Sequence, residues 1–433
     1  MLRKIIVLLL VLILGSYSEL FASGYRVPEQ SLNASALSSA YVANANGPDA
    51  AYYNPANMAW MPGSWEVEYD LTLLYLPSIK YADNRSVTFN GGTQEEYFAI
   101  PTFFALSPDY NNFRFGFAMV SPAGLSKRWN DPYTRTFAEE SSMKVIEVNP
   151  SMSYRFNDFV SIGVGGRLIY SDATVKSNGT ILAIGAGDLG GGMPPVDELV
   201  TITRDMEGDT IEVGYNLALT VKPVKALTFA ATYRSQIDLD MDGDVVLSAS
   251  DSFPGGFVSA GSYTGNGSVT IPIPDVLSLA VAYTFEKTTL EFTYDRTFWS
   301  AYKQLDFAYP VSLVHPILTL AFDDPVAKNW DDVNAYRIGL TYLWSQKLIL
   351  MAGGGIDGNP IPDSTLSFDL PDSDAWFGSL GFRYRHSEKL SYGAAYLYAD
   401  KDDRTVMDAS GAIDGTFSGA ATHLLAFSLT YLF

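Results

Sequence analysis

The side chains that could carry catalytic or metal chemistry are few in this chain and poorly spaced for it. Cysteine is absent from all 433 residues, which removes thiol nucleophiles and thiolate metal sites. Three histidines are present, and none has a serine and an acid placed as a hydrolytic triad requires. Ser387 adjoins His386, but adjacent residues on a strand point to opposite faces. We therefore expect a protein that is not an enzyme and holds no cofactor.

One glycine-rich segment resembles a nucleotide-binding motif. Residues 185–190 match the pattern G-x-G-x-x-G and follow an apolar run. A dinucleotide site also needs a helix directly after the glycines, because the helix N-terminus binds the pyrophosphate. The next five residues, Gly-Gly-Met-Pro-Pro at 191–195, cannot begin a helix. The motif is therefore better interpreted as an adaptable loop.

One acidic segment resembles a calcium-binding loop. Asp238, Asp240, Asp242 and Gly243 follow the opening pattern of an EF-hand, but its twelfth position holds Ala249 in place of a bidentate glutamate. Acidic runs of this kind are typical of solvated surface. We interpret this one in that way, with an adventitious divalent cation bridging the loops as the alternative.

The net charge of the chain argues against nucleic acid as a partner. The net charge is −20 and the isoelectric point is near 4.4, so no basic stripe is available to bind nucleic acid. Charged residues make up 18% of the chain, which is low for a soluble domain, and aromatic residues make up 14%, which is high.

The N-terminus has the features of a secretory signal peptide. Arg3 and Lys4 precede an apolar run at 5–14, and Leu20-Phe21-Ala22 suits signal peptidase. We expect residues 1–22 to be removed. The apolar run is too short to span a bilayer comfortably, and no other stretch approaches about 18 uninterrupted apolar residues. The mature chain is thus either soluble after export or a β-barrel.

From Trp65 onward the sequence alternates apolar residues with polar or small ones. Within 288–296, Leu290 and Phe292 share one face while Glu291 and Thr293 share the other. A polar, glycine-rich and charged opposing face is the composition of a lumen inside a lipid-facing wall. We predict an all-β fold, a transmembrane antiparallel β-barrel of about fourteen strands spanning residues 64–433. The strands are placed near 65–77, 95–107, 112–120, 144–156, 159–171, 211–222, 226–238, 275–285, 288–298, 333–343, 347–355, 375–385, 390–398 and 422–433.

The connections and the C-terminus support this fold. Short turns alternate with long loops, the longest near 172–210, 239–274 and 299–332, as in barrels inserted from the periplasm. The chain ends in Thr-Tyr-Leu-Phe at 430–433, which resembles the signal read by the outer-membrane insertion machinery. We therefore expect location in the outer membrane of a Gram-negative bacterium, in contact with membrane lipids and lipopolysaccharide.

Residues 23–63 have a different character. Residues 30–46 are rich in alanine, serine and asparagine, which favours short helical pieces. Pro48, the pair Asn54-Pro55 and the pair Pro62-Gly63 then interrupt regular structure. We predict a small plug of helix and turns inside the lumen, here called the plug.

Several motifs resemble those of the FadL family of outer-membrane transporters for long-chain fatty acids and aromatic hydrocarbons. The resemblance lies in GYRVPEQS at 24–31, DAAYYNPA at 49–56, NWDD at 329–332 and GNPIPD at 358–363. Each piece is unspecific alone. Their order within a fourteen-strand pattern makes the match specific, and it covers nearly the whole mature chain.

The resemblance implies a monomeric barrel that takes up hydrophobic small molecules without an ATPase. Such solutes are captured in a groove between external loops, expected here near 172–210 and 239–274. The plug then acts as a hatch, and a kink in the third strand, near 113–120, opens a lateral gap into the membrane. By the same resemblance, Asn54, Pro55 and Ala56 form the hatch motif. The alternative is an ordinary Asx-Pro turn, since Pro55 fixes φ and Asn54 can bond to nearby backbone.

Apolar residues in the long loops are the candidate ligand contacts. Exposed apolar patches mark binding sites, although such residues can also pack the loops together. The candidates are Ile181, Leu182, Ile184, Leu189, Met193, Phe253, Phe257 and Val258. Arginines on the lumen face could instead bind a carboxylate, but pairing across the barrel is the simpler expectation. These arginines are Arg167, Arg234, Arg337 and Arg383.

Three other functions stay open on sequence alone. A general porin is the nearest alternative, but it favours a charged constriction and lacks an N-terminal plug. An adhesin or structural barrel would show no uptake defect on deletion. An outer-membrane lipid hydrolase would release lipid products when purified.

Overall fold

The computed structural model describes residues 24–61, 63–184, 197–250, 260–409 and 411–433. The predicted signal peptide and the glycine motif at 185–190 lie outside these ranges. Within them, no helix combines the length and the apolar character that crossing a bilayer demands.

Fourteen antiparallel strands form a closed barrel, as predicted. Each strand pairs with the next, and the last returns to the first along ten residue pairs from Glu66↔Leu432 to Tyr75↔His423. Closure leaves no exposed sheet edge along this seam. The strands are β1 Glu66–Leu76, β2 Glu96–Leu106, β3 Phe113–Val120 with Gly124–Arg128, β4 Glu140–Arg155, β5 Val160–Ile184, β6 Asp197–Val224, β7 Leu227–Arg234 with Ile237–Ala249, β8 Gly261–Ile273 with Val276–Phe285, β9 Thr288–Thr297, β10 Val333–Leu343, β11 Leu348–Asp357, β12 Ala375–Arg385, β13 Leu390–Lys401 and β14 Ala421–Leu432.

The wall is apolar outside and polar inside. On β6, Tyr215, Leu217 and Leu219 are exposed on the outer face, while Asn216 and Thr220, at alternate positions, are buried against the interior. A soluble protein would reverse this arrangement, since exposing large apolar side chains to water is unfavourable. The exposed face is therefore the lipid-facing one.

Above this band the polarity of the wall reverses. On β7, Arg234 faces inward from an even-numbered position, and after the interruption at Ser235 and Gln236 the odd-numbered positions face inward instead. Leu239 is buried inside and Asp240 is exposed outside. The outer parts of β5 to β8 thus extend beyond the membrane. Their outer face is polar and exposed to solvent, and their inner face is apolar. Loops were predicted near 172–210 and 239–274, and this was wrong for most of both ranges. The acidic run at 238–244 was interpreted as a solvated loop, whereas it lies on β7. The prediction that the acidic run meets solvent is confirmed.

The plug fills the lower lumen with short helices and turns. Helices α1 (Leu32–Ala36) and α2 (Ala50–Tyr53) and the 3₁₀ turn Pro55–Trp60 are almost entirely buried. Ser31 caps α1 by accepting a hydrogen bond from the Ala34 N–H.

Glycines on the wall let the plug approach the strands closely. A Cβ added to Gly353 would lie 2.2 Å from the carbonyl carbon of Leu37, and one added to Gly163 would lie 2.5 Å from the Ala56 nitrogen. Only a residue without a Cβ allows such contact. The plug is therefore seated against matched positions of the wall.

External segments cover the mouth of the barrel. Their aromatic core includes Trp129, Tyr81, Phe368 and Phe417. The segments are the four-stranded sheet Lys80–Asp83, Gly91–Gly92, Arg404–Ala409 and Ile413–Ser418, the short strands Gln304–Leu305, Phe307–Ala308 and Val326–Ala327, helices α3 (Pro132–Ala138) and α4 (Pro316–Phe322), and 3₁₀ turns Val87–Phe89, Trp299–Ala301 and Asp363–Thr365.

Replacing Gly163 by alanine is expected to unseat the plug. The new methyl group would meet the Ala56 backbone, and overpacking of this kind costs about 1–3 kcal/mol. We expect a higher ion conductance in planar bilayers and a lower unfolding temperature. The control is Gly166→Ala on the same strand, where an added Cβ has no atom within 4 Å. Equal conductance of the two variants would contradict the tight seating described here.

Candidate functional site

A cavity of about 440 Å³ lies under the external segments, and we call it the outer cavity. Its lining is mostly apolar and includes Met206, Met241, Phe307 and Phe322. The extended strands β6 and β7 supply one side, and the segment between β9 and β10 supplies another. Such a cavity suits an apolar ligand of small to moderate size.

One predicted ligand contact, Ile181, lines the outer cavity. Leu182 and Ile184 belong to β5, but their side chains are outside the described residues. The other candidates, which are Leu189, Met193, Phe253, Phe257 and Val258, also lie outside them. Their role in binding stays a prediction.

The segment between β9 and β10 was not predicted to contribute. It places Phe307, Leu320 and Phe322 on the outer cavity. The available signal was the run Pro316–Phe322, which reads PILTLAF and is unusually apolar for an external loop. Leu320 is also 66% exposed, so an apolar surface continues from the cavity to the outside.

An ion pair closes one side of the outer cavity. The Lys328 ammonium lies 3.0 Å from an Asp369 carboxylate oxygen and 3.1 Å from the Ser367 hydroxyl. Burial raises the pKa of Asp369, but the positive charge of Lys328 and the hydrogen bonds from Ser367, Lys328 and the backbone together outweigh burial and hold the pKa below its usual value. Nearby, burial raises the pKa of the Tyr302 hydroxyl, which stays neutral.

A second space of about 210 Å³, the inner cavity, lies deeper in the lumen. The start of the plug, at 24–29, forms one side, and Leu74, Lys127 and Leu424 of the wall form others. Tyr25, Leu125 and Leu370 line both cavities and so separate them.

Tyr25 is the central part of this partition. Its ring is 5% exposed and packs edge-on against Trp299, with ring centroids 4.6 Å apart. Its hydroxyl donates to the carbonyl oxygen of Pro272. The partition is thus made by a plug residue and would move with the plug's first residues.

Beside the inner cavity the wall is incomplete. β2 pairs with β3 only from Phe103↔Met119 to Leu106↔Gly116. Above that point Gly124–Arg128 of β3 pairs with β4 alone, until an isolated bridge joins Thr93 to Trp129. We call the unpaired region between β2 and β3 the window. It lies at the predicted third strand, directly after the expected range of 113–120.

The window exists because β3 lies inside the line of the wall. Ser126 lines the inner cavity and donates to Glu96 at 2.7 Å, and Arg128 donates to the same carboxylate oxygen at 2.6 Å. Glu96 is buried on the lumen face of β2. This part of β3 therefore lies against the lumen face of β2 and not in line with it.

The plug satisfies the backbone of β3 where it leaves β2. The Val27 N–H donates to Pro122 O at 2.9 Å, and the Gly124 N–H donates to Tyr25 O at 3.0 Å. Gln30 bonds to the N–H and the C=O of Ser121, both at 2.8 Å. Unpaired backbone is costly at this depth, so the plug stabilises the break.

The predicted hatch motif lies at the contact of the plug with β5 and β6. Asn54 is fully buried, and its amide donates to Val42 O at 2.9 Å and to Thr220 Oγ1 at 3.0 Å. Its side-chain oxygen accepts from the Ala56 N–H at 3.1 Å, and Pro55 begins the 3₁₀ turn. None of the three residues lines either cavity. The motif fixes the plug in place, and its gating role stays a prediction.

Buried charges also hold the lumen together. The expected pairing of the lumen arginines is confirmed: Arg167 and Arg234 bind Glu147, while Arg383 binds Glu68. Arg337 bridges Asp295 and Asp357 at 2.7 and 2.8 Å. In addition, Glu291 accepts hydrogen bonds from three consecutive plug N–H groups, at 42–44.

A protein-family model described as outer membrane protein transport protein (OMPP1/FadL/TodX) matches residues 14–433. The chain belongs to the FadL/TodX family. Its members are transporters and channels, and the family places this chain in the outer membrane of a Gram-negative bacterium. This is consistent with the exposed apolar wall.

The curated relatives in the FadL/TodX family have low sequence identity to this chain, but the alignments cover most of its length. The long-chain fatty acid transport protein of Escherichia coli O6:H1 is 24% identical over 345 residues, covering 74% of each chain. A putative outer membrane protein of Neisseria meningitidis serogroup B is 24% identical over 461 aligned positions, covering 98% of each chain.

Solved structures of the family share the fold. A Pseudomonas aeruginosa FadL homologue superposes with a TM-score of 0.77 at 21% identity, covering 94% of this chain and 99% of that one. The Pseudomonas putida toluene transporter TodX gives 0.66 at 17% identity, covering 96% and 99%. At these identities the likeness establishes the barrel architecture alone.

Asn54→Ala is expected to slow uptake of labelled oleate without changing barrel assembly. The substitution removes three hydrogen bonds and leaves Val42 O without this donor, a loss of about 1–3 kcal/mol in plug stability. Assembly is checked by heat-modifiable gel mobility. The control is Asn44→Ala, whose side chain makes no hydrogen bond to the described residues and whose backbone bond to Glu291 is kept. An unchanged rate in Asn54→Ala would remove the motif from the mechanism.

Proposed function

We propose that this protein carries hydrophobic small molecules, such as long-chain fatty acids or aromatic hydrocarbons, passively across the outer membrane and releases them sideways through the window. The observation that supports this proposal most directly is the missing β2–β3 pairing beside the inner cavity. A porin for polar solutes would need an open axial channel, whereas here the plug is packed against wall glycines.

The names of family members support the substrate class. The relative from Escherichia coli is named a long-chain fatty acid transport protein, and the Pseudomonas putida structure is named a toluene transporter. Both kinds of molecule are predominantly apolar.

Capture begins outside the membrane in this proposal. Val311, Val314 and Leu320 are 62%, 94% and 66% exposed on the segment between β9 and β10. Exposed apolar patches of this kind bind apolar partners. Because Leu320 also lines the outer cavity, a ligand can pass from the patch into the cavity while remaining in apolar contact.

Passage to the inner cavity requires movement of Tyr25. The bulk of the plug is held by Glu291, Asn54 and the glycine contacts, so we propose that only its first residues shift. The ligand then lies beside the window and can leave into the membrane. Transfer of an apolar molecule into lipid is favourable by about 0.8 kcal/mol per CH₂ group, so no other energy source is needed.

The remaining partners are proposed on the same basis. We propose a monomer, since the closed barrel contains both cavities and the window. Lipopolysaccharide and membrane lipids surround the wall, and the aromatic C-terminal residue Phe433 meets the insertion machinery during assembly.

Blocking the window is expected to stop uptake. Ala99 and Ala105 share the outer face of β2, but Ala99 has no partner on β3 while Ala105 pairs with Phe117. The chain has no cysteine, so Ala99→Cys can be labelled selectively with a bulky maleimide. Labelled Ala99→Cys in reconstituted vesicles should transport oleate no faster than vesicles without protein.

The matched control is Ala105→Cys carrying the same label. It should retain uptake, because the wall there is already closed by backbone pairing. If both labelled variants transport oleate at the unmodified rate, exit does not occur through the window. If purified protein instead passes polar sugars at porin-like rates, the alternative of a general porin is favoured.

A further inference from the structure

Positive charge is concentrated along one side of the periplasmic end of the barrel. The short turns that follow β6, β8, β10 and β12 each carry one or two exposed cations at or beside the turn. Backbone hydrogen bonds of 2.7 and 2.8 Å join these turns in order around the wall, at 226–284, 287–343 and 347–385. The cations therefore follow one another along a continuous curve. We call this set the basic arc, and its members are Lys225, Lys287, Lys347, Arg385 and Lys389.

The charges of the basic arc are not neutralised within the part of the chain that the structure describes. None of its five side chains forms an ion pair or a hydrogen bond with another described residue. The same turns contain two exposed acids, Glu286 and Glu388, which form no ion pair either. On the external segments, by contrast, the exposed Arg85 is bound to Asp83. An excess of positive charge thus remains on the arc, although the whole chain has a net charge of −20.

The basic arc lies at the edge of the lipid-facing band. Phe285, Trp344 and Tyr392 flank its turns and are 62%, 63% and 42% exposed on the outer wall. Aromatic side chains in this position mark the level of the lipid head groups. A lysine or arginine at that level can lay its stem along apolar surface and extend its charge to the phosphates.

We propose that the basic arc binds anionic phospholipid, such as phosphatidylglycerol, in the periplasmic leaflet of the outer membrane. Arg385 can bind a phosphate through two parallel hydrogen bonds, and the four lysines add positive charge on neighbouring turns. Each cation at a membrane surface strengthens the attraction to anionic lipid. A zwitterionic lipid gains less, because its own ammonium group repels these cations. This lipid site does not depend on which molecule is transported.

The shape of the basic arc favours lipid over an acidic protein as the partner. Consecutive turns of a barrel place their charges along the rim, where a ring of lipids contacts the wall. A stable protein partner would instead need a compact patch of about 800 Å² on this chain. None of the residues of the arc lines the outer or the inner cavity, so no recess is available there for a protruding side chain of such a partner.

Brominated lipids can test this site, because bromine quenches the fluorescence of a tryptophan that it contacts. In a background with Trp65→Phe and Trp376→Phe, Trp344 is the only exposed tryptophan, and it lies beside Lys287 and Lys347. At low salt, brominated phosphatidylglycerol should quench Trp344 at a lower mole fraction than brominated phosphatidylcholine. Screening at about 0.5 M salt should weaken this preference. Lys287→Gln with Lys347→Gln should reduce the preference about fivefold or more.

The matched control is Lys80→Gln with Lys303→Gln. It removes the same charge from two exposed lysines of the external segments, which also form no ion pair with a described residue. The control should retain the full preference for phosphatidylglycerol. Heat-modifiable gel mobility checks that every variant forms the barrel.

Three results would overturn the proposal. The first is equal quenching of the unmodified arc by both lipids at low salt, and the second is an equal loss of preference in the two double variants. The third is displacement of phosphatidylglycerol at constant ionic strength by inorganic phosphate, which would indicate a site for free anions, or by an acidic peptide, which would indicate a protein partner. Oleate uptake into phosphatidylcholine vesicles should be the same in both double variants, so failure of the proposed function would be seen separately.

Discussion

Hydrogen bonds between the start of the plug and β3 are the interaction on which the rest of the structure depends. A strand that leaves its neighbour within a bilayer exposes N–H and C=O groups that lipid cannot satisfy. Here Tyr25, Val27 and Gln30 supply the missing partners at 121–124. The break in the wall is therefore stable only while the plug occupies this position.

The same residues also divide the cavities. Tyr25 accepts a hydrogen bond from Gly124 through its backbone and closes the passage with its ring. A ligand that displaces the ring consequently strains the bond that supports β3 at the window. Because one short segment takes part in both contacts, opening of the partition and loosening of the window are physically coupled. The rest of the plug, fixed by Glu291 and Asn54, need not move.

The sequence predicted the barrel well because alternation is a strong constraint on a strand with two different faces. The number of strands was accessible in this way. Closure was inferred from the alternation of short and long connections, and the plug at 23–63 was predicted from its composition and its prolines. The outer extension of β7 was missed because the acidic run at 238–244 was interpreted as a solvated loop. The apolar residues in fact stay on odd-numbered positions through Ser235 and Gln236, and the interruption there turns them from the lipid to the interior.

The candidate site was less predictable, for a physical reason. Cavity-lining residues such as Arg204, Phe322 and Tyr25 come from distant segments, and no local pattern joins them. Asn54 carried a recognisable motif but lies away from both cavities, since its role in the structure is to hold the plug. A local motif indicates local geometry, whereas the lining of the cavities depends on packing between residues that are far apart in the sequence.

The proposed lateral route is also compatible with the dense packing of the lumen. Paired buried charges such as Glu147 with Arg167 and Arg234 make the lower lumen rigid and polar, which is unfavourable for an apolar solute. A solute moving straight through would have to cross that region and the plug. In the proposed route the ligand avoids both, because it would pass from an apolar cavity to lipid while the polar network remains intact. In this proposal, the dense packing below the cavities and the missing β2–β3 pairing act together, because the first blocks the axial path and the second leaves a lateral one.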